Sequence, residues 1–215
     1  MIIDRGVRTA SVDGLEGLTI GRLAADLGLS KSGVLGHFGT KEVLQLAVLD
    51  AAAGIFVREV PQRASGTRPG LPRLLALCSA WVSYLERGVF PGGCFINAAA
   101  MEFDDRGGPV RDAVAAFNSA WQEELGRHVR IATEASDLPP GTDPDQVVYE
   151  LLGQMLALNL TLQLYRDRTA PDRTRRAMGR LLGHPVTPAD TVPRLTPSPG
   201  WTVRRRPVSG GRRSG

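Results

Sequence analysis

Cysteine, histidine and lysine are scarce in this chain, with two, three and two residues among 215. Cys78 and Cys94 stand 16 apart, without a Cys-X-X-Cys pair or a histidine at ligand spacing. A disulfide framework and a zinc site are both unexpected, no other metal or cofactor is called for, and both thiols are read as reduced. Long apolar runs are missing too. The best of them, "LLGQMLALNLTLQLY" at 151–165, is broken by Gln and Asn and falls short of the ~20 residues of a membrane span. The start, "MIIDRG", has no basic segment, apolar stretch or small-residue cleavage site of an export signal, so a cytoplasmic protein is expected. Strand-like alternation of period two is also absent, as is any solenoid repeat. What is present is apolar spacing of three and four, within a chain that is 42% hydrophobic. The expected class is all-α, with enough apolar surface for a real core.

The net charge of +4 has a definite location. Residues 1–60 carry six basic against seven acidic side chains and 61–182 carry fourteen of each, whereas 183–215 carry six against one. That tail also holds six prolines and almost no periodic apolar residues, the composition of a disordered basic extension. The expected organisation is a first unit at 1–58, a helical unit at 59–183 and the tail at 184–215.

Within the first unit, Val7 and Ala10 mark one face of a short helix ending near Gly14. Thr19 is placed to cap a second helix with the buried stripe Ile20, Leu23, Ala24 and Leu27. Gly28 follows as a residue able to take positive φ, and Leu29 is expected to turn back into the core. Ser30 caps a third helix that buries Val34 and Phe38, after a link of about three residues. Two helices so joined form a helix-turn-helix, whose second member reads the DNA major groove with its N-terminal residues. Short Ser30, Ser32 and Gly33 let a helix start approach base edges, and Lys31 adds charge beside its exposed N–H groups. Thr40 caps a fourth helix whose first residue is Lys41, so both lysines of the chain open helices in this unit.

The stretch "GLEGLTIGRLAADLGLSKSGVLGHFGTKEVLQLAVLDAA", residues 14–53, resembles the DNA-binding region of tetracycline-repressor-like (TetR) transcriptional regulators. "PGGCFINAAAMEFDDRGGPVRDAV", residues 91–114, resembles the ligand-domain segment of one TetR subgroup, so the likeness extends over roughly 2–182. The resemblance implies DNA contacts at Thr19, Ser30, Lys31, Ser32, Gly33, Val34 and His37, and a phosphate contact at Lys41. Leu35 stands where many members carry an aromatic residue.

Beyond "VREVPQRASGTRPG", which reads as the end of the first unit, Leu71, Leu74, Leu75, Cys78, Val82 and Leu85 share a helix face up to Gly88. Pro109 opens a long helix with the stripe Val110, Val114, Phe117, Trp121, Leu125, His128 and Ala132. Asp143 and Pro144 start another, apolar nearly all round through Tyr165, which demands cover on both sides. The resemblance implies that a second subunit supplies one of them, together with residues 171–182, in a C2 homodimer. A small, mostly apolar effector is expected among Trp81, Tyr84, Phe95, Met101, Phe117, Trp121, His128, Met155 and Asn159. For His128 a buried, hydrogen-bonded structural role competes with effector contact, and Asn159 and Gln163, one turn apart, serve either the pocket or the dimer. "MEFDD" is read as a solvated, salt-bridged turn rather than a metal site. The reading is therefore a non-enzymatic repressor that leaves operator DNA when the effector binds. The alternatives are an interaction protein with weakened DNA binding and a thiol enzyme using Cys94 with His128 as base.

Overall fold

A computed structural model describes residues 2–188, and the described residues form ten helices without a strand. The first three are α1 (Ile2–Asp13), α2 (Ile20–Leu27) and α3 (Lys31–Phe38), followed by the longer α4 (Lys41–Glu59). The starts of α2, α3 and α4 are each fixed by a local side chain. Thr19, Ser30 and Thr40 accept hydrogen bonds from the amides of Arg22, Gly33 and Val43, at 3.2, 3.0 and 3.1 Å. Each satisfies one of the orphan donors of a first turn. Gly28 ends α2 in the left-handed region at φ 64°, where a side chain would be strained. The Leu29 amide then closes on the Ala24 carbonyl, but the Leu29 side chain stays 44% exposed. Its expected return to the core is corrected: the turn that satisfies its backbone leaves its side chain outside. Phe38 and Leu27 are only half-buried.

The helix α1 lies against α4, and the approach is close at Gly6, where a Cβ would stand 2.7 Å from the Val48 side chain. Leu15, Leu18, Leu23, Val34, Leu44 and Val48 fill the space between these helices. The rod α4 spans roughly 28 Å at 1.5 Å per residue and carries the core onward through Ala52 and Phe56. The following stretch, expected as a plain connection, instead contains the short α5 (Pro61–Ala64), with Val60, Pro61 and Ala64 buried. The Arg73 guanidinium pins this turn through the Ser65 and Thr67 carbonyls.

The remaining helices are α6 (Leu71–Glu86), α7 (Phe95–Phe103), α8 (Pro109–Glu134), α9 (Pro144–Gln163) and α10 (Ala170–Leu182). The expected single face of α6 proves too narrow: every residue from Ala76 to Leu85 is buried, because α8, α9 and α10 pack around it. Along α8 the expected stripe is the buried one, from Val110 through Ala132. On α9 only Val147, Val148, Leu151, Met155 and Leu158 turn inward. Tyr149, Leu156 and Leu160 remain exposed on its outer side, as do Leu164 and Tyr165 just past its end. No helix of the described residues is long and apolar enough to cross a membrane. The tail expected from residue 184 is corrected at its start, where Val186 is buried and the Thr187 carbonyl accepts from Ser79 Oγ at 2.6 Å, while the rest, from residue 189 on, lies outside the described residues.

Candidate nucleic-acid interface and its link to the helical core

On α3 the physical division of labour is sharp. Val34 is 0% exposed and anchors the helix to the core, while Lys31, Ser32, Gly33, Leu35, Gly36 and His37 all face outward. Val34 therefore leaves the set of expected base contacts, since a side chain enclosed by protein has no surface to offer a groove. The exposed remainder is small and polar at the helix start. Ser30 both caps the helix and lies 3.2 Å from the Ser32 hydroxyl, so the two hydroxyls form a compact polar edge. Thr19, exposed at the start of α2, and Lys41, at the start of α4, are the other side chains expected at DNA.

Lys41 is engaged in this structure. Its Nζ donates to Glu16 Oε1 at 2.6 Å, and that bond holds the Glu16 carboxyl below its ordinary range. Glu16 Oε2 also lies 3.2 Å from an Arg106 guanidinium nitrogen and accepts from Gln45 Nε2 at 3.3 Å. Gln45 uses the same nitrogen to bind the Leu15 carbonyl at 2.9 Å. Glu102, at the end of α7, accepts from the Leu15 and Glu16 amides at 2.7 and 2.9 Å. The α1–α2 connection is thus held from α7, a role that the reading of "MEFDD" as a solvated turn missed. At the other end of α7, the Gly92 amide donates to Ser11 Oγ at 3.0 Å.

The expected effector residues are only partly brought together. Trp81, Tyr84, Phe117 and Trp121 are brought together around Phe56, a residue the sequence reading passed over. Their ring centroids stand 5.2 to 6.3 Å from that of Phe56 with near-perpendicular planes, the favoured edge-to-face arrangement. Two surface grooves, of about 660 Å³ beside Arg176 and Arg180 and about 270 Å³ between α7 and α8, are lined by none of these aromatic residues. Inside the cluster, the indole nitrogens of Trp81 and Trp121 are buried without a hydrogen-bond partner; elsewhere, on α9, Gln154 Oε1 is also buried without one. Tyr84 OH lies against the Cys94 thiol, a weak partner, and burial pushes its pKa far up. Phe95 packs on Phe90 at 5.5 Å, and Met155 is fully enclosed.

Three expected effector contacts are corrected by their surroundings. Met101 is 61% exposed on the outer side of α7. His128 is fully buried, with Nδ1 accepting from the Gly70 amide at 3.2 Å and Nε2 3.1 Å from Glu124 Oε1. Since Nδ1 accepts, the proton sits on Nε2 and is donated to the carboxylate, so the ring is a pin between the α6 start and α8. Asn159 Oδ1 accepts from the Cys94 amide at 2.9 Å, which makes it a staple from α9 to the start of α7. The thiol-enzyme alternative fails on the same facts: Cys94 is fully buried with its pKa raised by burial, and both His128 nitrogens are taken.

Two family models match the chain. "Bacterial regulatory proteins, tetR family" covers residues 2–48, and "Tetracyclin repressor-like, C-terminal domain" covers 70–178. Among solved structures, a TetR transcriptional regulator from Chloroflexus aurantiacus J-10-fl is 27% identical with a TM-score of 0.72. It spans 85% of this chain and 90% of its own. A TetR-family regulator from Cytophaga hutchinsonii is 20% identical with a TM-score of 0.74, over 86% and 94% of the two chains. AibR, solved in complex with isovaleryl coenzyme A and operator DNA, is 19% identical with a TM-score of 0.66, over 85% and 95%. No curated protein matches the sequence.

Proposed function

The chain belongs to the TetR family of DNA-binding transcriptional regulators, and on that premise we propose that it is a dimeric repressor released from its operator by a small molecule. The observation that carries this reading is the course of α4. Its first residue, Lys41, stands beside the exposed edge of α3, and Phe56, about 22 Å further along, is the hub of the aromatic cluster. One rigid element therefore joins the surface for DNA to the interior where an effector enters. Thr19, Ser30, Lys31, Ser32, Gly33 and His37 are the proposed DNA-facing residues, with Lys41 on a phosphate.

The cluster of Trp81, Tyr84, Phe117 and Trp121, together with Phe95, joined to it through Phe90, and buried Met155, is the proposed effector site. Two indole N–H groups buried without partners favour a ligand that is largely apolar but brings acceptor oxygens, since an unmade buried hydrogen bond costs about 1–3 kcal/mol. Such a ligand must displace the Phe56 ring, and α4 transmits the displacement. The related AibR, bound in its structure to an acyl-coenzyme A thioester, supports ligands of mixed apolar and carbonyl character in this fold. Dimerisation is supported by the large apolar side chains left exposed along α9 and just past its end, Tyr149, Leu156, Leu160, Leu164 and Tyr165. The proposed organisation is a DNA-binding unit at 1–58 and an effector and dimer unit at 59–183.

The test is a gel shift and footprint on the DNA flanking the protein's own gene, with sedimentation to count subunits. A symmetric footprint whose half-sites lie about one helical turn apart, lost in Lys31→Ala/Ser32→Leu, supports the reading. A dimer that retains its fold and binds no such DNA refutes it.

A further inference from the structure

The α1–α2 connection, residues 14–19, is where the DNA-facing helices meet α7, and its charges are arranged around one carboxylate. Glu16 offers one oxygen to Lys41 and the other to Arg106 and Gln45. Its own amide and that of Leu15 are fixed by Glu102. The fit is close: a Cβ on Gly14, at φ 81°, would stand 2.6 Å from Glu102 Oε1. The carboxylate is thereby held at a set place rather than left to swing in solvent. Its side chain is 46% exposed and that of Lys41 37%, so the pair lies open to an approaching anion. A carboxylate and a phosphate oxygen make the same demand of an ammonium group, and Lys41 cannot meet both at full strength.

We propose that Glu16 is an internal substitute for the DNA phosphate, occupying Lys41 in the free protein and yielding it on binding, with Arg106 competing for the same carboxylate from the α7 end. The proposal rests on the reading that Lys41 contacts DNA. In the free protein, Lys41 is already paired, so the phosphate contact is an exchange of anions and gains less than a contact made by a free lysine. An exposed pair of this geometry shifts an equilibrium by up to about fivefold. When α7 moves, Arg106 and Glu102 move with it, and the strength of the Glu16 hold on Lys41 changes. Glu16 is thus a positioning residue for a DNA contact, and it lies at the junction between the two halves of the molecule.

The experiment uses the full-length protein on a random-sequence duplex, followed by fluorescence anisotropy at low and moderate salt. Glu16→Gln, Lys41→Ala, the double variant and Glu42→Gln are compared with the parent. Glu42 is an exposed acid in the same first turn and measures general repulsion of DNA by negative charge. The expected result is that Glu16→Gln tightens binding about two- to fivefold in the parent and has no effect beyond that of Glu42→Gln once Lys41 is Ala. Lys41→Ala correspondingly costs more in the Glu16→Gln background than in the parent. If Glu16→Gln tightens binding equally in both backgrounds, Glu16 acts only as a diffuse charge and the proposal is overturned. If Lys41→Ala costs nothing even with Glu16 neutralised, the phosphate reading of Lys41 itself fails. Thermal melts of all variants, expected to coincide within a few degrees, separate these outcomes from unfolding.

Discussion

Replacement of Phe56 tests whether one ring joins the two halves energetically as it does geometrically. Phe56 is 2% exposed and meets Trp81, Tyr84, Phe117 and Trp121, each edge to face. Isolated aromatic pairs are worth about 0.5–1.5 kcal/mol beyond area burial. Four such pairs sharing one ring cannot be added independently, so a pooled loss of about 2 kcal/mol is expected for Phe56→Leu, which keeps apolar bulk. For Phe56→Ala the lost burial and the remaining cavity bring the cost to about 3–5 kcal/mol, a large part of the 5–15 kcal/mol of a typical domain. At roughly 2–4 °C per kcal/mol for a chain of this size, the melting temperature should fall by about 4–8 °C for Leu and about 6–20 °C for Ala. The assay is urea and thermal unfolding by circular dichroism at one fixed protomer concentration, because dimerisation shifts apparent stability. Tryptophan emission adds a local reading, since Trp81 and Trp121 both touch the ring and only Trp201, outside the described residues, is elsewhere. A cost below about 1 kcal/mol for Phe56→Ala, with unchanged emission, would mean that the ring is not the hub of the core.

Three further outcomes are expected. In Gly92→Ala the new Cβ would stand 1.6 Å from the Ser11 carbonyl oxygen, a backbone atom, so the loop must withdraw. Stability should fall by about 1–3 kcal/mol and amide exchange should rise at the end of α1. Burial pushes the Glu124 carboxyl up, but hydrogen bonds from His128 and Arg127 outweigh it and hold the pKa below the ordinary 4.5. A carboxylate with a lowered folded-state pKa stabilises above its unfolded value and loses that contribution as pH falls through the folded one, so stability should decline below about pH 4.5. Glu124→Gln should show a shallower decline in urea titrations across that window. Deletion of residues 189–215 should leave the melting temperature unchanged while weakening binding to random DNA and flattening its salt dependence, because the Arg-rich segments neutralise phosphates without reading bases. A markedly lower melting temperature on deletion would show the tail to be part of the fold.

What could be read from the sequence was written in short spacings. Thr19, Ser30, Thr40 and Asp143 each bond an amide two or three residues on, so their helix starts are local facts. The α8 stripe is equally local, since a period of 3.6 shows which residues share a face. Which of two faces is buried is a different matter, and there the reading failed. Leu29 and Met101 are apolar yet exposed, because the cap at Gly28 and the seat of α7 leave their side chains outside. The same limit applies to α6, whose spacing marks one buried face while its neighbours cover every residue from Ala76 to Leu85.

The link from α7 to the DNA-facing unit is the harder case, because the partners in the Glu102–Leu15 bond are 87 positions apart. Nothing in "MEFDD" distinguishes Glu102 from Asp104 and Asp105, and only the packing of α7 alongside α4 brings one carboxylate back to the chain near its start. A trace of that packing does exist in the sequence, at the paired glycines just before α7. A Cβ on Gly92 would enter the end of α1, and one on Gly93, at φ 87°, would stand 2.3 Å from Asn159 Oδ1 on α9. The first glycine lets α7 approach the DNA-binding half and the second lets it approach the outer helices of the other half. "PGGC" reads locally as a turn, but two adjacent positions that exclude side chains on different sides mark a chain passing between two surfaces. The physical content of the motif is therefore proximity: it seats α7 against the end of α1 on one side and α9 on the other, with the Glu102 side chain reaching the Leu15 and Glu16 amides from its far end.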